Sequence, residues 1–336
     1  MDSGTGRQPA GEQRARHVLV VDDDPIMREE GGTRDQIEAS RFAFDSRGLL
    51  REGRAVSGEH KRPLLTYIAL AYLWTWVTVL PLLLQKRGLV DLGLPDAWEA
   101  VGAFGPLVAA WLVVRRTEGP AGLAAFWRSL TNWRLGAGTW SLTLLSPLAF
   151  LALAAALVTV QTGAAPSLEA LATGRLGPLH AVVDLVLVGA VLQALGEEPG
   201  WRGYLLPKML GRFRRLPATL LLFPVWWLWH LPFFLGRPEF GLPQFLGFGL
   251  GILSASIWLT FLWERTRSAL VAVVWHAVLN VTRGIALGFS TGMFLAYGMV
   301  VAVGALGIVL WWLARRRSVE PRARPGRWPG GTRGTG

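Results

Sequence analysis

Leu185-Val186-Leu187-Val188-Gly189-Ala190-Val191-Leu192-Gln193-Ala194-Leu195-Gly196 is an apolar run, and Glu197-Glu198-Pro199-Gly200-Trp201-Arg202 follow it without a break. The run has the composition of a membrane helix, yet two carboxylates stand at its end. Ionisable groups in hydrocarbon are costly and by default mark a working site. Several other apolar runs exceed about eighteen residues, enough to cross a bilayer. Only helices or closed barrels satisfy the backbone in lipid. These runs are too long and too uniformly apolar for the alternation of a barrel strand. The chain therefore reads as an all-α polytopic membrane protein.

Working outward, the hydropathy places eight spans, at about 64–84, 98–114, 140–160, 180–200, 216–236, 244–264, 269–288 and 292–313. They define a membrane domain over 63–314. Residues 1–62 are polar and rich in Gly and Arg, and 315–336 form a basic tail; both read as disordered. Residues 17–29 resemble the first strand and acidic cluster of a response-regulator receiver domain. The similarity stops after this fragment, so no phospho-acceptor domain is expected. No apolar signal-peptide core is visible in 1–62. The stretch Gly122–Leu135 is too short and polar to span. Phe126, Leu130 and Trp133 recur in it at helical spacing, which predicts a short amphipathic helix on the inner surface.

The basic residues test this count. With a cytoplasmic N-terminus the inner loops hold ten: Arg115, Arg116, Arg128, Arg134, Lys208, Arg212, Arg214, Arg215, Arg265 and Arg267. The outer loops hold four: Lys86, Arg87, Arg175 and Arg237. That bias puts both termini in the cytoplasm and the chain in the plasma membrane. The net charge of +11 is thus topogenic. Its arginines are scattered between spans, not gathered on one soluble face, which argues against nucleic acid. With no cysteine, disulfides, thiolate metal sites and a cysteine nucleophile are excluded.

Few polar residues fall within the spans. Glu198 and Arg202 are four apart with the acid first, the favourable order for a helical ion pair. Glu197 is rotated by about 100° from Glu198 and is free to face elsewhere. His230 stands alone on the fifth span behind Trp226, Trp227 and Trp229. His276 and Asn280 share one face of the seventh span, with Arg283 nearby as a packing or counter-charge residue. His180 and Asp184 read as a local structural pair. Pro199 and Gly200 are expected to kink or loosen the fourth helix, and the freed carbonyls favour a water-containing polar cavity. Depth is a constraint: His276 lies about 10–14 Å and His230 about 21 Å from the inner ends of their helices. They meet Glu197 only with tilt or a longer fourth helix.

A carboxylate, two imidazoles and an amide around water suit hydrolysis. A buried glutamate is a competent general base near neutrality, and a histidine can share its proton. A neutral His and an Asn can donate to a developing oxyanion. Alternatively Glu197, His230 and His276 hold a divalent metal such as zinc; spacing alone leaves both open. The tight H-E-x-x-H pair of zinc proteases is absent, a single span aspartate rules out an aspartyl dyad, and no serine sits in a Gly-x-Ser-x-Gly setting. The rival readings are a non-proteolytic immunity or scaffolding protein and a proton-coupled transporter. The transporter lacks visible inverted repeats.

Glu197-Glu198-x-x-x-Arg202, then Trp226-x-x-x-His230, then His276-x-x-x-Asn280 resemble the three motifs of the CPBP family. That family contains the type II CAAX prenyl endopeptidases and abortive-infection-like bacterial proteins. The resemblance implies an intramembrane endopeptidase acting on a membrane-embedded or lipid-modified peptide. It implies Glu197 as the water-activating residue, His230 as its partner, His276 and Asn280 at the oxyanion, and Glu198 with Arg202 as support. The second motif often opens with Phe, where this chain has Trp226. The family is commonly called metalloprotease, and a metal-free glutamate mechanism is also argued for its members.

Overall fold

A computed structural model describes residues 61–317, apart from 174–175, 177–178 and 238–239. The receiver-like fragment at 17–29 and most of the tail lie outside the described residues. All regular elements among the described residues are helical. They run α1 (Lys61–Lys86), a 3₁₀ turn (Asp96–Trp98), α2 (Glu99–Ala103), α3 (Gly105–Thr117), α4 (Gly119–Thr131), α5 (Ala137–Thr162), α6 (Leu168–Thr173) and α7 (Leu179–Val183). A π-helical stretch (Asp184–Leu192), α8 (Gln193–Gly200), a second π stretch (Trp201–Leu205) and α9 (Leu206–Leu210) continue α7 without a gap. Then come α10 (Arg215–Trp229), α11 (Leu231–Leu235), α12 (Leu242–Thr266), α13 (Ala269–Phe289) and α14 (Thr291–Arg317).

Seven helical segments among the described residues are long and apolar enough to cross a membrane: Arg62–Lys86, Asp96–Thr117, Ala137–Thr162, Arg215–Leu235, Leu242–Thr266, Ala269–Phe289 and Thr291–Arg315. They match seven of the eight expected spans, and the protein is a multi-pass membrane protein. Leu residues exposed along α1, α5 and α14, such as Leu73, Leu145 and Leu306, give these helices an apolar outer face suited to lipid. The expected fourth span at 180–200 is not among the seven. Its helix carries Asp184, Glu197, Glu198 and Arg202, and it runs on to Leu210 instead of stopping at Gly200. Pro199 does not break it. A proline removes one backbone donor and crowds the preceding turn; here the wider π turn beginning at Trp201 follows at once and lets the helix continue.

Small residues bring α1, α2–α3 and α8 together. A Cβ on Gly196 would run into the Ala103 carbonyl, and one on Gly200 into the Pro106 carbonyl. On the other side of α3, a Cβ on Gly105 would strike Thr75 Oγ1 and lie 2.6 Å from the Ala71 carbonyl. Close backbone approach through glycine is a common way for membrane helices to gain packing energy. Thr75 fastens the same layers: its hydroxyl donates to the Gly102 carbonyl at 2.7 Å and accepts the Trp229 indole N–H at 2.9 Å. The glutamates are thereby fixed against α2–α3 from one side.

The other side is closed by α10, α12 and α13. Ser268 caps α13, its hydroxyl accepting from Val271 N and donating to the Asn132 carbonyl at 3.0 Å. That contact joins α13 to the end of α4, the expected amphipathic helix. Phe126 of α4 is buried, but the helix ends at Thr131 and leaves Trp133 exposed, so Trp133 is not on its packed face. Further along α13, Trp275 Nε1 donates to Ser146 Oγ of α5 at 3.0 Å, and Thr282 and Tyr297 of α14 share a 2.6 Å hydrogen bond.

Candidate active site

Glu197 and Glu198 lie in α8 and are almost wholly buried, 3% and 0% exposed. The helix points them at different partners. Arg202 Nη1, one turn on, donates to Glu198 Oε1 at 3.0 Å. His276 of α13 brings Nδ1 to the same oxygen at 2.8 Å. Glu197 instead accepts the Trp226 indole N–H at Oε2, 2.6 Å, and faces His230 Nε2 at 3.8 Å.

His230 stands where α10 gives way to α11, its own N–H bonded to the Trp227 carbonyl at 3.1 Å. Its ring Nδ1 lies 2.8 Å from the Trp226 carbonyl. A carbonyl only accepts, so Nδ1 carries a proton and Nε2 is the nitrogen turned to Glu197. At 3.8 Å the two groups are beyond a direct hydrogen bond and leave room for a bridging water. The same logic fixes His276. Its Nδ1–H donates to the Glu198 carboxylate, leaving Nε2 as its free nitrogen.

Asn280 comes one turn after His276 and donates Nδ2 to the Gly189 carbonyl at 3.2 Å. That carbonyl belongs to the first π stretch, so α13 is tied to the glutamate helix on both sides of the site. Arg283 is part-buried on the same helix and makes no hydrogen bond or ion pair among the described residues. Asp184 is exposed, and the His180 side chain lies outside the described residues. The helix depths are reconciled mainly by the fourth helix, whose extension to Leu210 brings the glutamates to the middle of its length.

Two features of the site were not legible in the motif spacing. The first is the indole N–H on Glu197. Its only sequence signal is that Trp226 sits one turn before His230 and so shares its face. The second lies behind the ion pair. Glu198 Oε2, Arg202 Nε and Nη2, Trp201 Nε1 and the Tyr67 hydroxyl are buried without hydrogen-bond partners among the described residues, while the Tyr67 and Trp201 rings meet edge-on at 5.7 Å. Donors and an acceptor of this kind are what ordered internal waters satisfy.

The three metal candidates do not form one donor set. No group of three or more His, Cys, Asp or Glu among the described residues is disposed to hold an ion. A closed zinc site needs three or four protein ligands. The residues as arranged do not fit that requirement, so no catalytic step is routed through a metal.

A family model described as type II CAAX prenyl endopeptidase, Rce1-like, matches residues 178–282. A CAAX prenyl protease 2 from Methanococcus maripaludis is 29% identical over 106 residues, covering 29% of this chain and 39% of that relative. The likeness thus spans well under half of either protein. The residues matched by the family model nonetheless hold Glu197, Glu198, Arg202, Trp226, His230, His276 and Asn280, the set that the fold has gathered from three helices. Over residues 178–282 this chain is similar to the type II CAAX prenyl endopeptidases.

Proposed function

We propose that the chain is an intramembrane endopeptidase that hydrolyses a peptide bond of a membrane-embedded or lipid-modified substrate with water activated by Glu197. The observation that carries this reading is the division of the glutamates. Glu198 is consumed by Arg202 and His276, whereas Glu197 is held at Oε2 and keeps Oε1 without a hydrogen bond among the described residues. A water at Oε1 can give up a proton to the carboxylate as it attacks the scissile carbonyl, with His230 Nε2 as a neighbouring proton acceptor. The proton then passes to the leaving amine. The Asn280 amide and His276 Nε2 lie on the helix facing Glu197 and supply the oxyanion contacts. With Nδ1–H given to Glu198, His276 donates from Nε2 only when the ring carries both protons.

We also place both termini on the cytoplasmic side of the plasma membrane, with the helix from Leu179 to Leu210 as the remaining crossing. At roughly 1.5 Å per residue it is about 48 Å long, enough to traverse the bilayer. The bias of basic residues supports that orientation.

The test is cleavage of a fluorogenic prenylated peptide, and of a panel of membrane peptides, by purified protein in detergent. Glu197→Gln, His230→Ala and His276→Ala are each expected to lose about a hundred-fold or more. Full activity in all three would remove this assignment of the site.

A further inference from the structure

Trp226 contacts Glu197, Arg202, His230 and His276. Its indole N–H donates to Glu197 Oε2 at 2.6 Å. The Arg202 guanidinium lies over its face, 4.1 Å from the ring centroid. Its ring meets that of His276 edge-on at 5.6 Å, and its carbonyl holds His230 Nδ1 at 2.8 Å. The side chain is 1% exposed.

We propose that Trp226 is a positioning residue for hydrolysis: its indole N–H holds one oxygen of the Glu197 carboxylate and so fixes the plane in which the other is directed at the attacking water. This rests on the reading of Glu197 as the water-activating group. The terminal torsion of a glutamate is broad, so the carboxylate plane swings unless one oxygen is held. His230 Nε2 at 3.8 Å is beyond hydrogen-bond reach. The indole is therefore the one hydrogen-bond donor to Glu197 among the described residues. The ring in turn is held by the cation on its face and the imidazole against it. Core filling alone does not account for the contact. Trp201, equally buried in the same region, has no partner for its N–H among the described residues, so a partner is not an automatic result of packing an indole here.

Two replacements isolate the N–H. Trp226→Phe keeps an aromatic face, and the benzothienyl isostere of tryptophan at 226 keeps the whole shape with sulfur in place of N–H. Each is expected to lower kcat about ten- to hundred-fold, with KM within about two-fold of wild type. The isostere is expected to unfold at the wild-type temperature. Wild-type kcat in the isostere overturns the proposal, whatever Trp226→Phe does, since the ring alone would then suffice. A fall in kcat matched by an equal rise in KM also overturns it. Glu197→Gln runs in parallel and separates the two levels. If it is fully active, the reading of the site fails. If it is inactive while the isostere is wild type, only the positioning role fails.

Discussion

His276 Nδ1 lies 2.8 Å from Glu198 Oε1, the same oxygen that Arg202 reaches at 3.0 Å. One carboxylate oxygen thus links a cation on its own helix to an imidazole on α13. All of this is buried, so removing one partner leaves a charge stranded. Glu198→Gln is expected to destabilise the protein by about 3–5 kcal/mol, read as thermal unfolding in detergent. Replacing both charges, as Glu198→Leu with Arg202→Met, is expected to recover much of that loss. Activity stays absent, because His276 has lost the group that orients it. A double variant no more stable than Glu198→Gln would sink this account of the pair.

The tautomer of His230 can be tested by shape. An Asn amide nitrogen occupies roughly the place of Nδ1, so His230→Asn keeps a donor to the Trp226 carbonyl and removes Nε2. The variant is expected to fold like wild type and to lose about a hundred-fold or more in kcat. Near-normal turnover would show that Nε2 takes no part.

Glycine spacing sets the position of the glutamates. Gly196→Ala and Gly200→Ala would each drive a methyl group into a backbone carbonyl of the neighbouring segment, at Ala103 and Pro106. Backbone cannot step aside as a flexible side chain can. Each change is expected to cost about 1–3 kcal/mol and to lower kcat, since the helix carrying Glu197 must move. Gly247→Ala is the control, with nothing within 4 Å of its new methyl; it is expected to be neutral or slightly stabilising. Equal behaviour of the three in thermal unfolding and turnover would contradict the packing described.

Chelation tests the donor geometry. With no group of three or more His, Cys, Asp or Glu disposed to hold an ion among the described residues, treatment with EDTA or phenanthroline is expected to leave kcat/KM within about two-fold. Loss of activity with recovery on adding zinc would mean that Glu197 and the Nε2 atoms of His230 and His276 close around an ion, with His276 Nδ1 still on Glu198.

Much of this was legible in the residues. Seven spans follow from apolar length alone, and the Glu198–Arg202 contact from i, i+4 spacing. The meeting of His230, His276 and the glutamates needed three dimensions, because motif spacing does not set the relative depth of separate helices. Pro199 and Gly200 suggest an end near Gly200, where the chain instead widens into a π turn and continues. Nor does hydropathy report hydrogen bonds. Trp226 contributes to an apolar window as any tryptophan does, and only its geometry shows that its N–H is on Glu197.

The two π stretches, Asp184–Leu192 and Trp201–Leu205, bracket the glutamates. A π turn arises when a helix accommodates an extra residue. A related chain can therefore lack one residue of either stretch, close that turn to α geometry and keep Glu197 and Glu198 at nearly the same angle. A one-residue deletion within α8 has no such slack and would swing the carboxylates by about 100°. Single-residue gaps in alignments of related chains belong in 184–192 or 201–205, not in α8.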